Sequence, residues 1–244
     1  MGLRLDKVLL SRGLVGTRSR ARDLIVRGAV TVDGIVETKP GALVREDVPL
    51  ALLEDADYVS RGSLKLLAAL DAFGFDPASR AALDVGASTG GFTEVLLRRG
   101  AAHVTAVDVG HGQLHPRLAD DPRVTQHEGR DVRTLGPDDV GTPVEAIVAD
   151  VSFISLEKAL PAALALAAPG AWLVALIKPQ FEAGREAVGK GGIVRDAAVR
   201  EAQADKIETW IAGLAGWRVV GLIPSPVAGG SGNQEFLIGA VFDG

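Results

Sequence analysis

The stretch Leu83-Asp84-Val85-Gly86-Ala87-Ser88-Thr89-Gly90-Gly91-Phe92 reads as a buried strand, a glycine-rich turn and the first turn of a helix that runs to Arg99. Glycines at 86, 90 and 91 let the backbone turn sharply and let a ligand approach it without meeting a Cβ. The N–H groups that open the helix would face that ligand. Asp108 ends the run His103-Val104-Thr105-Ala106-Val107 and lies 22 residues beyond Gly86. That spacing is close to the ~20 residues between a nucleoside-binding turn and the carboxylate that holds a ribose diol. The turn is not the Gly-x-Gly-x-x-Gly of dinucleotide sites. Asp84, ahead of the first glycine, would repel a pyrophosphate but suits a ligand that carries an ammonium and a sulfonium. This favours S-adenosylmethionine over NAD; the plain alternative is a tight strand-to-helix turn with no ligand.

Three more charges stand where strands end. Asp150 closes Ala146-Ile147-Val148-Ala149, Lys178 closes Leu173-Val174-Ala175-Leu176-Ile177 ahead of Pro179, and Glu235 opens the last apolar run. A lysine directly after five apolar strand residues is partly desolvated, which favours its neutral amine, and a neutral amine can serve as general base on a hydroxyl. Taken singly, each is an ordinary strand-end charge. Taken with the glycine turn on the same edge, they point to a reaction. The four histidines, at 103, 111, 115 and 127, find no partners at metal-ligand spacing, so no metal is expected.

These groups need a frame that gathers strand ends. From Ala81 the chain alternates strands, near 81–86, 103–108, 123–127, 145–149 and 171–177, with helices near 91–99, 112–119, 155–168 and 197–213, the last capped by Asp196. Two more strands follow, 218–223 and 235–242. The expectation is an α/β, doubly wound, mostly parallel seven-stranded sheet, with a small α+β domain ahead of it. An open sheet of this kind binds ligands beyond the carboxyl ends of its strands, where Gly86, Asp108, Asp131 and Asp150 all fall. Before the sheet, a helix over 63–73 carries Leu64, Leu67, Ala68 and Leu70 as its apolar face, with Lys65 off that stripe as a solvated charge.

At 244 residues and 47% hydrophobic content, the chain can build one ordinary domain and a small one. It has no cysteine, which excludes disulfides, thiolate metal sites and thiol nucleophiles and fits a reducing cytoplasm. The start, Met1 to Lys7, lacks the apolar segment of a signal peptide. The longest uncharged run, Ala159 to Ile177, is long enough to raise a membrane span, but Pro161 and Pro169-Gly170 cut it into a buried helix and a buried strand. Net charge is −5, which argues against nucleic acid until its distribution is examined. Residues 1–45 hold nine basic and four acidic side chains, and the remainder holds seventeen and twenty-seven. A basic head on an acidic body is the pattern of a nucleic-acid-binding module attached to something else.

The head divides into a helix over Arg4 to Arg12, a second over Arg18 to Arg27 capped by Thr17 and ended by Gly28, and a hairpin, Val30 to Val36, around Asp33-Gly34. Ala42 to Val44 and Pro49 to Leu53 are expected to complete one small sheet. Glu54-Asp55-Ala56-Asp57 reads as linker, which gives a head over 1–57, a junction over 58–62 and a main domain over 63–244.

Arg4-Leu5-Asp6, Ser19-Arg20-Ala21, Leu24-Ile25, Gly28 and Val30-x-Val32-Asp33-Gly34 resemble the small RNA-binding domain first described in ribosomal small-subunit protein four. That resemblance implies RNA phosphate contacts by Arg4, Lys7, Arg12, Arg18, Arg20, Arg22 and Arg27; a solvated basic helix face is the bland reading.

Further motifs extend the resemblance: Ser60-Arg61-Gly62-x-x-Lys65, Asp84 to Leu96, Asp108-Val109-Gly110-x-Gly112-Gln113, Asp150 to Leu156, Lys178-Pro179-Gln180-Phe181-Glu182 and Ser231-Gly232-Asn233-x-Glu235. Together they are similar to the TlyA family, FtsJ-type ribose methyltransferases of Rossmann-like class I fold that are often called hemolysin-like. The resemblance implies methyl transfer from S-adenosylmethionine to the 2′-hydroxyl of a cytidine in ribosomal RNA. It carries the catalytic set onto Lys65, Asp150, Lys178 and Glu235. Cofactor contacts pass onto Gly86, Ala87, Ser88, Thr89, Gly90, Gly91, Phe92, Asp108 and Val109, with Asp131 and Val132 at the adenine. The segment Gly184 to Arg195 is either a lid over the RNA or a plain surface loop. Some members carry a further C-terminal helix and modify both ribosomal subunits; a chain that ends at Gly244 matches the shorter kind, for which the large subunit is expected and the small one is left open. Two rival readings stand beside this: a membrane-active hemolysin, and a non-catalytic ribosome-assembly factor that keeps the fold.

Overall fold

Asp33-Gly34 folds as expected. Both residues adopt positive φ, 55° and 79°, the pair of left-handed residues that a two-residue hairpin turn requires. The computed structural model describes residues 2–26, 28–52, 58–184, 188–189, 191–229 and 232–244. Arg27, the 54–57 linker and Ser231 lie outside the described residues. The chain divides into two compact units, Met1–Arg61 and Gly62–Gly244.

The first unit runs β1 (Leu3–Arg4), α1 (Leu5–Ser11), α2 (Arg18–Val26), β2 (Val30–Val32), β3 (Ile35–Val36), β4 (Leu43–Val44) and β5 (Leu50–Leu52). Thr17 caps α2 by accepting from Arg20 N at 3.1 Å. Gly28 closes it, with Gly28 N donating to Ile25 O and Ala29 N to Leu24 O. The two helices bury Leu5, Val8, Leu9, Ala21, Leu24 and Ile25 together with Val30, a small core of its own. The sheet departs from expectation. Only β5 joins the hairpin, beside β2, while β4 pairs with β1 as a separate ribbon. The reason is local: Leu5 N and Asp6 N donate to Ala42 O and Pro40 O, which ties the 40–42 turn to the start of α1.

The second unit opens with α3 (Gly62–Phe73) and continues through β6 (Ala81–Val85), α4 (Gly91–Arg98), β7 (His103–Asp108), α5 (Pro116–Ala119), β8 (Val124–Glu128), α6 (Pro137–Val140), β9 (Val144–Ala149), α7 (Leu156–Ala159), α8 (Pro161–Leu164), β10 (Ala167–Ile177), α9 (Pro179–Glu182), α10 (Ala197–Ala212), β11 (Trp217–Pro224) and β12 (Phe236–Phe242). Seven strands form one sheet in the order β11-β12-β10-β9-β6-β7-β8. All neighbours are parallel except β12, which runs against both β10 and β11. Strand order reverses between β6 and β9, so the crevice at that switch point is the expected ligand position.

Three helices differ from their expectation. The 155–168 helix is broken into α7 and α8 because Pro161 has no N–H to continue the ladder, and β10 reaches back to Ala167 through an irregularity spanning Pro169-Gly170. The helix expected over 112–119 is only the single turn α5, which starts at Pro116 with His115 as its cap. In α3, leucines run all round the helix, so their spacing does not fix which face is buried. The buried face is Ser63, Lys65, Leu66, Ala69 and Leu70, while Leu64, Leu67 and Ala68 are half-buried. Lys65 is therefore not a solvated charge. Among the described residues, no helix is long and apolar enough to cross a membrane.

Candidate active site

Gly86 shows how close the strand ends come. Its φ is +82°, and a Cβ there would sit 2.8 Å from the Asp150 carbonyl oxygen. Any side chain would strain the backbone and strike the end of β9. The turn is pinned on both sides, by Gly86 N on Val107 O at 2.8 Å and by Asp150 N on Val85 O at 2.9 Å. Asp108 holds it from below: Ser88 N donates to one carboxylate oxygen at 2.8 Å, and Gly110 N to the other at 2.7 Å.

A cleft of about 1050 Å³ opens at this edge. Its wall includes Gly86, Ser88, Asp108, Val109, Asp131, Val132, Asp150, Ser152, Phe153, Phe181 and Glu182. Of the residues assigned to the cofactor, Gly86, Ser88, Asp108, Val109, Asp131 and Val132 thus share one wall. Ala87, Thr89, Gly90 and Gly91 shape the turn, and Phe92 is buried in the core behind it. Asp131 is held by Arg133 at 2.5 Å, and that guanidinium lowers its pKa to about 2.

The catalytic candidates form two lysine–carboxylate pairs. Lys65 Nζ donates to Glu235 Oε2 at 2.6 Å, with the two residues 8% and 2% exposed. Lys178 Nζ approaches Asp150 Oδ1 to 2.6 Å and donates to Ser152 Oγ at 2.8 Å. Sheet register brings the pairs to one edge. Ile177 of β10 lies opposite Phe236 of β12, so Lys178, which follows the one, and Glu235, which precedes the other, stand at the same end of the pair. Lys65 reaches Glu235 from α3, which is fastened by Ser63 Oγ on Gly91 O at 3.0 Å. Asp150 and Ser152 line the cleft, whereas Lys65, Lys178 and Glu235 are not among its lining residues.

Beneath the turn, Asp84 is fully buried. Thr93 Oγ1 donates to Asp84 Oδ2 at 2.6 Å, and Oδ1 has no partner. Burial, more than the nearby Asp150 and Asp108, pushes its pKa up to about 7. Asp84 therefore does not face a ligand directly, as its sequence position suggested. Glu182 also has its pKa raised by burial; one oxygen caps α7 at Leu156 N, 2.9 Å away, and the other has no partner.

Sequence reasoning missed three residues. Phe153 is 91% exposed with φ +66°, a strained position for an aromatic residue, and its ring lies 5.0 Å from that of Phe181. Ser152 receives the Lys178 amine. Asn233, buried, accepts from Val194 N at 3.0 Å and donates to Gly192 O at 2.8 Å, which ties the 192–194 backbone to the loop before Glu235. All three sit in quoted motifs, but only residue type, not exposure or backbone strain, is visible in a motif. Among the described residues, no group of His, Asp or Glu is arranged to hold a metal ion.

In the head, the assigned cations are differently placed. Arg4 and Arg18 are bonded to Asp6, Arg12 donates to Val48 O at 2.6 Å, Arg20 pairs with Asp23 at 3.2 Å, and the Lys7 and Arg22 side chains are exposed.

Residues 58–242 match the FtsJ-like methyltransferase family, and residues 3–48 match the S4 domain. The 16S/23S rRNA (cytidine-2′-O)-methyltransferase TlyA of Mycobacterium tuberculosis is 46% identical over 237 residues, 96% of this chain and 88% of its own. Hemolysin A of Brachyspira hyodysenteriae is 38% identical, over 96% of this chain and 98% of its own. A solved structure from Streptococcus thermophilus that bears the hemolysin name superposes with a TM-score of 0.76 at 40% identity, covering 99% of this chain and 88% of that one.

Proposed function

The chain belongs to the FtsJ-like methyltransferase family and carries an S4 domain at its head, and from that premise we propose that it methylates the ribose 2′-hydroxyl of a cytidine in large-subunit ribosomal RNA. The observation that carries this reading is the meeting of two lysine–carboxylate pairs at the β10–β12 edge, beside the glycine turn. Similarity over nearly the whole chain to a protein named as an rRNA cytidine-2′-O-methyltransferase supports the substrate. The hemolysin alternative has no supporting segment among the described residues, since the 159–177 run is parts of two single-turn helices and a strand.

S-adenosylmethionine, when bound, supplies an activated methyl group. The cleft has room for it, and although Arg130, Arg133, Lys158 and Lys206 also line the wall, Asp108 stands at the glycine turn, where a carboxylate suits a ligand with ribose hydroxyls. Asp108, already oriented by Ser88 and Gly110, would hold the ribose, and Asp131-Val132 the adenine.

A ribose 2′-hydroxyl is a poor nucleophile and must lose its proton as it attacks. Lys178, positioned by Asp150 and Ser152, is the group that takes up that proton. Lys65, paired with Glu235, places a positive charge toward the developing alkoxide. The exposed ring of Phe153 offers the unstacked base an aromatic face. Much of the acceleration comes from alignment of the reacting atoms. We assign RNA capture to residues 1–57, the junction to 58–62 and catalysis to 63–244.

The test is methyl transfer from labelled cofactor to purified large-subunit ribosomal RNA, with ribose methyl groups mapped afterwards. Wild-type protein introduces a 2′-O-methyl cytidine; Lys178→Ala introduces none while calorimetry still registers cofactor binding. A normal rate in Lys178→Ala removes that residue from the mechanism, and no ribose methylation by wild type removes the function.

A further inference from the structure

Asp6 is an acid that the mechanism does not use, and it is completely buried, among Leu5, Val8 and Leu9 of a small core. A buried carboxylate is costly unless several donors satisfy it. Here Arg4 Nε donates to Oδ1 and Arg4 Nη2 to Oδ2, both at 3.1 Å, while Arg18 Nε donates to Oδ2 at 3.0 Å with its Nη2 at the same distance. These guanidiniums, Arg4 foremost, hold the Asp6 pKa below the usual carboxylate range.

Both arginines spend the same edge on Asp6, the side formed by Nε and Nη2. A guanidinium has five donors, so the Nη1 end of each remains. The two side chains stay 43% and 48% exposed although their inner edges are fixed. Gly41 supplies a second, independent observation. Its backbone is not in the left-handed region, so conformation does not demand glycine there. Space favours it: a Cβ on Gly41 would lie 3.1 Å from Arg4 Nη1 and 3.5 Å from both its Cζ and its Nη2, tight against the guanidinium. The hydrogen bonds from Leu5 N and Asp6 N to the 40–42 turn keep Gly41 beside that arginine.

We propose that Asp6 and Gly41 build a fork for one RNA backbone phosphate: Asp6 fixes the inner edges of Arg4 and Arg18, and Gly41 leaves the Arg4 guanidinium room beside the 40–42 turn. Asp6 and Gly41 are positioning residues, and the arginines touch the RNA. This rests on the reading of the head as RNA-binding. With one carboxylate against two guanidiniums, the fork adds little net charge. What it adds is direction, because a pre-oriented planar fork loses less side-chain freedom when a phosphate docks. A lysine in place of Arg4 would keep the charge and lose the geometry.

Binding of the full chain to deproteinised large-subunit ribosomal RNA, measured across a KCl series beside thermal melting, tests the fork. Gly41→Val crowds the Arg4 guanidinium from the 40–42 turn and is expected to weaken binding about tenfold. Its slope of log affinity against log salt should fall by roughly 0.7–0.9, the value of one lost phosphate contact. Arg4→Lys should do the same and decides the matter if Gly41→Val lowers the melting temperature. Wild-type affinity and slope in both overturn the fork. The double variant Arg4→Ala/Arg18→Ala separates the two levels. If it binds RNA normally, the RNA-binding reading of the head falls; if it binds weakly while Gly41→Val and Arg4→Lys do not, only the fork falls.

Discussion

The sheet edge and the basic head use the same ingredients, a cation and a buried carboxylate, in opposite ways. At the edge each lysine has its own carboxylate, and the Lys65–Glu235 pair is almost wholly removed from water. In the head two arginines share Asp6, and both remain about half exposed. Removal from water makes electrostatics strong and orientation strict, which a proton transfer needs. Partial exposure keeps a guanidinium available to a partner that arrives from solution, which recognition needs. Exposure, rather than charge, separates the group that does chemistry from the group that holds substrate.

The sharpest way to break this contrast is to unpair the buried lysine. Glu235→Ala leaves the Lys65 ammonium without a partner, and the expected loss is about 3–5 kcal/mol of unfolding free energy, read from denaturant titration, with methyl transfer falling at least a hundredfold. The corresponding head variant, Arg18→Ala, leaves Asp6 with the Arg4 pair and should cost much less. Equal losses from the two would erase the distinction.

Asp84 extends the comparison to a carboxylate with no cation at all. Its folded pKa, about 7, lies above the ordinary value of 3.8. Between those values the folded state binds more protons than the unfolded one, so stability declines as pH rises from about 4 to about 7 and is level beyond. The full shift corresponds to roughly 4 kcal/mol. Asp84→Asn, which can still accept from Thr93, should flatten that dependence and so be more stable than wild type at pH 8. Urea midpoints at pH 5 and pH 8 measure it, and equal slopes for the two proteins would show that burial does not govern this acid.

Much of this arrangement was legible beforehand, for physical reasons that also explain the gaps. The central strands could be placed because buried parallel strands are apolar runs that end abruptly, and Asp108, Asp150 and Lys178 mark those ends. The Thr17 and Asp196 caps and the Asp33-Gly34 turn were legible because their geometry is local. What failed depended on packing. A helix rich in leucine on every side does not announce its phase, so Lys65 passed for a surface charge on residue type alone and entered the site only by resemblance. The partner of β4 was set by hydrogen bonds between the 40–42 turn and α1, which no periodicity encodes. Asp6 belongs to a motif of residue types, and no sequence pattern marks its burial under two arginines.

Phe153 is where the two strategies meet, since it stands at the chemical edge yet is 91% exposed, like a recognition residue. Its positive φ of 66° costs the fold about 1–3 kcal/mol, set against a ring contact with Phe181 at 5.0 Å. Phe153→Gly removes both ring and strain, whereas Phe153→Ala removes the ring and keeps most of the strain. If the ring serves the substrate, both variants should raise the KM for RNA by roughly 5–100-fold, the worth of one stacked base, with little change in cofactor affinity. Phe153→Gly should also unfold at slightly higher denaturant than Phe153→Ala. A ring that serves only the fold would reverse the pattern: both variants would lose stability and neither would change KM. A raised KM with unchanged stability would therefore tie the strained position to the substrate and not to the Phe181 contact.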